Sequence, residues 1–137
     1  MTAGIDLLDL SIAHVSRLVR SREVTAVELV DAALDRAART QPVLNAFVEI
    51  EADASRKRAQ FADDELDRGL WRGPLHGIPL AHKDCFERLG KPMSLGSRVC
   101  DQVPGERTAA AIERLEAAGA VTIGALSLSE MVANPTG

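Results

Sequence analysis

The hydrophobic period of this chain switches repeatedly between about 3.6 and 2 residues, and that alternation constrains the fold more than any other feature. Leu10 to Arg20 runs at helical spacing behind Ser11, a residue suited to an N-cap. Thr25-Ala26-Val27-Glu28 is a capping box, in which hydroxyl and carboxylate satisfy opposite orphan backbone donors. From there Val27, Val30, Leu34 and Ala37 form one apolar stripe, expected to end near Thr40 because Pro42 blocks continuation. Ala46 to Ile50 changes to a strand period, with Val48 and Ile50 on one face and Phe47 and Glu49 on the other. Ala52 to Arg68 returns to helix, with Ala59, Ala62 and Leu66 as a narrow buried side, the charges as a solvated face and Gly69 at its end. Ile78 to Ala81 is an apolar run. Glu87 to Gly105 is rich in Gly and Pro and reads as loop. Arg107 to Ala118 reads as a helix burying Ala111, Ile112 and Leu115, stopped by Gly119, and Ala120 to Ala125 as a buried strand. A short helix is expected around Ser127 to Ser129. This order predicts an α/β fold with a mixed sheet covered by helices, small enough to leave an edge uncovered.

Composition narrows the function classes. Aromatic residues are 3% of the 137-residue chain and Tyr is absent, so the core must come from Ala, Leu, Val and Ile, which favours close helix–sheet packing. The 16 Lys and Arg against 20 Asp and Glu give a net charge of −4, and with so few aromatics this argues against direct nucleic-acid binding. The longest stretch free of charged residues and His, Ala117 to Ser129, falls well short of the roughly 20 apolar residues that span a bilayer. Met1 to Asp9 has no basic leader, so a cytoplasmic location is expected. Cys85 and Cys100 form neither a disulfide framework nor a metal spacing. Asn134-Pro135-Thr136-Gly137 reads as a turn entering further structure, so the chain is expected to be incomplete.

The strongest candidate for chemistry is Lys83, at the end of the Ile78-to-His82 run in Gly73-Pro-Leu-His-Gly-Ile-Pro-Leu-Ala-His-Lys-Asp84. Lys57, Lys83 and Lys91 are the lysines of a chain that otherwise uses arginine, and lysine, unlike arginine, can be neutralised by burial. A free lysine has a pKa of about 10.4, and working as a base near pH 7 requires roughly 4–5 kcal/mol of desolvation or charge repulsion. An apolar strand end flanked by Gly and Pro suits that requirement; by spacing alone, a surface lysine snorkelling to solvent is the plainer alternative. Strand alternation points Lys83 and Asp84 to opposite sides. His76 and His82 read as packed or surface residues more readily than as a Cys–His pair with Cys85. His14 completes no metal cluster, and no dinucleotide fingerprint is present. Ser94-Leu95-Gly96-Ser97 reads as turn chemistry rather than as an anion site.

The Gly73–Asp84 stretch resembles the lysine-bearing motif of the amidase signature family, hydrolases of carbon–nitrogen bonds that use a Ser-Ser-Lys triad. The likeness extends to Val24–Val48, similar to the family's N-terminal helix and following strand, and to Glu106–Gly137, similar to its helix-Gly-strand segment. The resemblance implies that residues 1–137 form the N-terminal portion of a single amidase domain, with a helical region and short strand in 1–72 and the lysine motif and helix–strand segment in 73–137. It implies that Lys83 is the catalytic base, acting through a bridging serine on a nucleophilic serine, with backbone N–H groups stabilising the oxyanion, and that Asp84 orders the turn. It implies a small-molecule amide substrate, no metal or organic cofactor, and a homodimer for the full-length enzyme. Both serines belong to a downstream Gly/Ser-rich segment of the GGSSGGS type, which these residues do not contain; Ser94, Ser97, Ser127 and Ser129 are not assigned those roles. Cys85 stands where many members carry Asn, and Ala125-Leu126-Ser127 replaces a frequent Lys-Thr-Asn, which suggests a particular subgroup for small or aryl amides. Met131 is placed to line a substrate channel, core packing being the alternative. The rival functions are the signature-bearing component of a tRNA-dependent amidotransferase and a non-catalytic scaffold domain.

Overall fold

A computed structural model describes residues 6–100 and 103–133; the turn expected at Asn134–Gly137 lies outside the described residues. The elements are α1 (Ile12–Arg20), α2 (Ala26–Leu44), β1 (Phe47–Ile50), α3 (Ala52–Asp67), β2 (Pro79–Lys83), α4 (Ala110–Ala117) and β3 (Val121–Leu126), with short 3-10 turns at Leu7–Asp9 and Glu130–Val132. The last turn falls just beyond the Ser127–Ser129 helix expected from the sequence, with Ser129 as its N-cap. The sheet has three strands in the order β1-β3-β2; β3 pairs antiparallel with β1 and parallel with β2. The mixed sheet expected from the sequence is therefore present, and β1 and β2 are its edges.

The N-terminus of α2 shows how sequence and tertiary structure divide the capping work. Thr25 and Glu28 form the capping box, Thr25 Oγ1 accepting from the Glu28 N–H at 3.0 Å and Glu28 accepting from the Thr25 N–H at 2.8 Å. The next two orphan donors, the N–H groups of Ala26 and Val27, go to the Asp63 carboxylate of α3 at 2.7 and 3.1 Å. A carboxylate at a helix N-terminus is favoured both by hydrogen bonding and by the helix dipole. The charged side of α3 is thus not wholly solvated as expected: Asp63 and Glu65 are buried, and Glu65 holds Arg72 at 2.5 and 2.7 Å.

Between these helices and the sheet lies a core of Ala26, Val30, Leu34, Ala59, Ala62, Val121 and Ile123. A second cluster, Val15, Val19, Val24, Leu29 and Ile78, seats α1 against α2 and the start of β2. Two elements depart from the sequence reading. α2 continues through Pro42 to Leu44 and stops at Asn45 in a left-handed conformation (φ 46°). The proline lies in the last turn, where few helical bonds remain to be lost, and the Gln41 amide bonds both the N–H and the C=O of Phe47 at 2.9 Å. In β1 a bulge between Phe47 and Glu49 resets the alternation, so that Phe47 and Ile50 both pack on the core while Val48 is exposed. Gly124 of β3 makes the approach of β1 feasible, since a Cβ there would collide with the Glu49 carbonyl oxygen.

The Gly73–Gly77 turn delivers the chain into β2. His76 is buried, donating from Nε2 to the Ala62 carbonyl at 2.8 Å and accepting the Arg72 N–H on Nδ1 at 3.3 Å, so both ring nitrogens are used. Gly77 has φ 75°, and a Cβ there would come within 2.7 Å of Ala26 Cβ, at the start of α2. On the other side of β2, α4 buries Ile112, whereas Ala111 is exposed and Leu115 half-buried, contrary to the expectation for both. The apolar face of α4 overlooks a groove of about 460 Å³ along β2, lined among others by Ile12, Leu80, Phe86 and Leu115.

Replacing Asp63 with Ala removes the acceptor of two helix N–H groups inside the fold. It is expected to lower stability by about 1–3 kcal/mol, measured by urea denaturation, with Asp63→Asn retaining part of the difference.

Candidate active site

The parallel strands β2 and β3 end in register, Lys83 opposite Leu126, and the candidate residues collect at these carboxyl ends. That is where ligands bind in open α/β sheets. Lys83 Nζ donates to the Ser127 carbonyl at 2.7 Å. The Lys83 carbonyl accepts the Phe86 N–H at 3.1 Å, closing a tight turn, and the Asp84 N–H donates to the Leu126 carbonyl at 3.0 Å. The backbone around the lysine is therefore fixed on both sides of its peptide.

Asp84 is buried, and its Oδ2 accepts both the Ser94 N–H at 3.0 Å and the Ser94 hydroxyl at 2.5 Å. Ser94 Oγ in turn accepts the Gly96 N–H at 3.2 Å, and Leu95 O accepts the Met131 N–H at 2.8 Å. Ser97 Oγ donates to Glu130 at 2.7 Å. This relay brings Met131 to the same end of the sheet as Lys83. The serine loop is turn chemistry, as expected, and its hydroxyls are committed to Asp84 and Glu130. Met131 is half exposed and has φ 54°, with Val132 at φ 59° beside it; a β-branched residue in that region is strained.

A buried ion pair anchors the loop that follows Lys83. Arg88 bonds Glu51 through two nitrogens, and both side chains are nearly inaccessible to solvent. Lys91 adds contacts to Glu49 at 2.7 Å and Glu51 at 3.6 Å. Burial pushes the Glu51 carboxyl upward, but the hydrogen bond and charge of Arg88, with Lys91 and Arg58 behind it, hold it below the ordinary carboxylate range. Between this loop and the sheet is a cavity of about 280 Å³, with Glu49, His82, Asp84, Phe86, Lys91 and Ser94 among its walls.

The remaining candidates separate cleanly. His82 is buried and bonds the Lys83 carbonyl from Nδ1 at 3.0 Å, while no hydrogen bond joins it to Cys85 among the described residues. His14 is exposed, and no group of three metal-binding side chains occurs among the described residues. Lys83 itself takes the plainer of the two outcomes its spacing allows. It is exposed, not withdrawn from water, because it closes an edge strand and its ammonium reaches past the strand end to a carbonyl. Asp63, Glu51 and Arg88 escaped the sequence reading because their partners are far away in the chain; a capping role for Asp63, on a different helix, leaves no local signature.

The Amidase family model matches residues 28–137. The chain belongs to the amidase family. It is 36% identical over 118 residues to an amidase of Pseudomonas putida, covering 86% of this chain and 25% of that protein. It is 37% identical over 129 residues to a glutamyl-tRNA(Gln) amidotransferase component of Anaeromyxobacter sp. (strain K), covering 94% and 26% respectively. The native peptide amidase of Stenotrophomonas maltophilia superposes with a TM-score of 0.81 at 34% identity, over 89% of this chain and 25% of that one. The chain thus spans about a quarter of the length of the curated relatives it matches. No helix among the described residues is long and apolar enough to cross a membrane.

Glu51→Gln leaves Arg88 buried without its counter-charge and is expected to cost about 3–5 kcal/mol at pH 7. Because the folded carboxyl titrates below its unfolded value, the pair's contribution is present above the ordinary carboxylate pKa and lost as pH falls through the lowered one. Denaturant midpoints followed from pH 7 to pH 3 should therefore converge for wild type and variant at the acid end.

Proposed function

We propose that this chain supplies the lysine base of an amide hydrolase. The observation that carries the reading is the placement of Lys83 at the carboxyl end of a parallel strand pair, its peptide held from both sides, within a chain of the amidase family. In this reading a neutral Lys83 takes a proton from a bridging serine, which takes one from the nucleophilic serine. The nucleophile attacks the amide carbon, the C–N bond breaks as the leaving amine gains a proton, and water hydrolyses the acyl-enzyme. Both serines lie outside these 137 residues in this reading, which makes the chain the N-terminal portion of one amidase domain. The rest of that domain would cover the exposed Lys83 and remove it from water. Met131, exposed on a strained turn at the same end of the sheet, would line the substrate channel for a small-molecule amide.

A second reading, the signature-bearing component of an amidotransferase acting on misacylated tRNA, is favoured by the match to the Anaeromyxobacter protein over 94% of the chain. The two readings part on whether activity requires partner proteins and tRNA.

The 137-residue chain alone should show no amide hydrolysis, whereas the same chain extended through a complete amidase domain should turn over simple amides. Lys83→Ala in the extended protein should lower kcat by at least about a thousandfold, measured by ammonia release, since it removes the proton acceptor of the nucleophile relay. Turnover by the short chain, or an active Lys83→Ala protein, would overturn the reading.

A further inference from the structure

His82 precedes the proposed base, is only 7% exposed, and is not used by the mechanism above. Its Nδ1 lies 3.0 Å from the Lys83 carbonyl oxygen. A carbonyl accepts only, so Nδ1 must carry the proton, and in the neutral ring Nε2 is left as an acceptor. That Nε2 is sealed from solvent and has no hydrogen-bond partner among the described residues. An unpaired buried acceptor is destabilising by itself, and an apolar residue of similar volume would avoid it. The other buried histidine, His76, has both nitrogens satisfied, so the fold accommodates a fully bonded imidazole elsewhere.

Stability does not account for a histidine here, but the bond from Nδ1 does something specific. The Lys83 carbonyl receives two donors, the Phe86 N–H at 3.1 Å and His82 Nδ1, while the N–H of the same peptide is fixed to Leu126 at 3.0 Å. The imidazole adds a second donor to that carbonyl, from the face opposite to the lysine side chain. We propose that His82 is a positioning residue for Lys83: its Nδ1–H locks the Lys83 peptide so that the side chain leaves the strand end in one direction, toward the Ser127 carbonyl and the reacting serines. This deepens the reading of Lys83 as the base and rests on it. The unpaired Nε2 is the cost of placing a donor at that spot.

The test compares His82→Leu, which removes the donor and fills the space, with His82→Asn, whose amide can present an N–H near the Nδ1 position, in the extended amidase. His82→Leu is expected to lower kcat by roughly 10- to 100-fold with KM changed less than about twofold, the range that a small misplacement of a catalytic group produces. Its thermal midpoint should be no lower than wild type. His82→Asn should recover most of the lost kcat. An undiminished kcat in His82→Leu, or an equal loss in His82→Asn and His82→Leu, overturns the proposal, as does a kcat loss matched by a lowered midpoint. Lys83→Ala separates the two claims: if it is inactive while His82→Leu is normal, only the positioning role fails; if Lys83→Ala is active, both fail.

Discussion

The parallel pairing of β2 with β3 is the constraint on which the rest of this structure depends. It sets Lys83 opposite Leu126 and brings the Ser127 carbonyl within reach of the ammonium. The ladder is made possible on one side by small residues: Gly124 lets β1 approach β3, and Gly77 lets the entry to β2 press against the first turn of α2. Substituting either glycine would drive a Cβ into backbone or into Ala26 Cβ.

With few aromatic side chains available, the packing is tied together by buried polar groups whose partners are remote in sequence. Asp63 binds α2 to α3, His76 binds the β2 entry to α3, and the Arg88–Glu51 pair fastens the long loop to the beginning of α3. Each satisfies a donor or acceptor that the fold would otherwise bury unpaired, and each is directional in a way that Ala and Val contacts are not. The result is a frame in which small apolar residues fill space and polar bonds set orientation.

What the sequence made legible follows from this division. Periodicity and apolar runs located the α-helices and strands of the described residues, because the apolar stripes of α2 and β3 are local patterns, and the Thr25–Glu28 box announced a helix start within four residues; the 3-10 turn at Leu7–Asp9 was not foreseen and the one at Glu130–Val132 was placed too early. The lysine motif was visible because Gly, Pro and apolar residues are concentrated around one Lys. The helix running through Pro42, the bulge that turned Val48 outward and the burial of Asp63 and Glu65 were not visible. Each depends on a contact with another element: Gln41 with Phe47, β1 with Gly124, α3 with the N-terminus of α2. Whether Lys83 is buried stayed open for a related reason, since an apolar run before a residue says which way a strand packs and not what stands beyond its end.

Lys83 separates two requirements that are often treated as one. A lysine base needs a fixed direction, and it needs to be out of water. The backbone at Lys83 is held locally, by the turn bond from Phe86, the strand bond from Asp84 to Leu126, and the imidazole of His82. Desolvation is a property of volume, and a strand at the edge of a three-stranded sheet, beside an open apolar groove, has too few neighbours to provide it. The groove that leaves Lys83 in water is apolar along most of its length, so a surface docked along β2 would exclude water from the lysine in the same step.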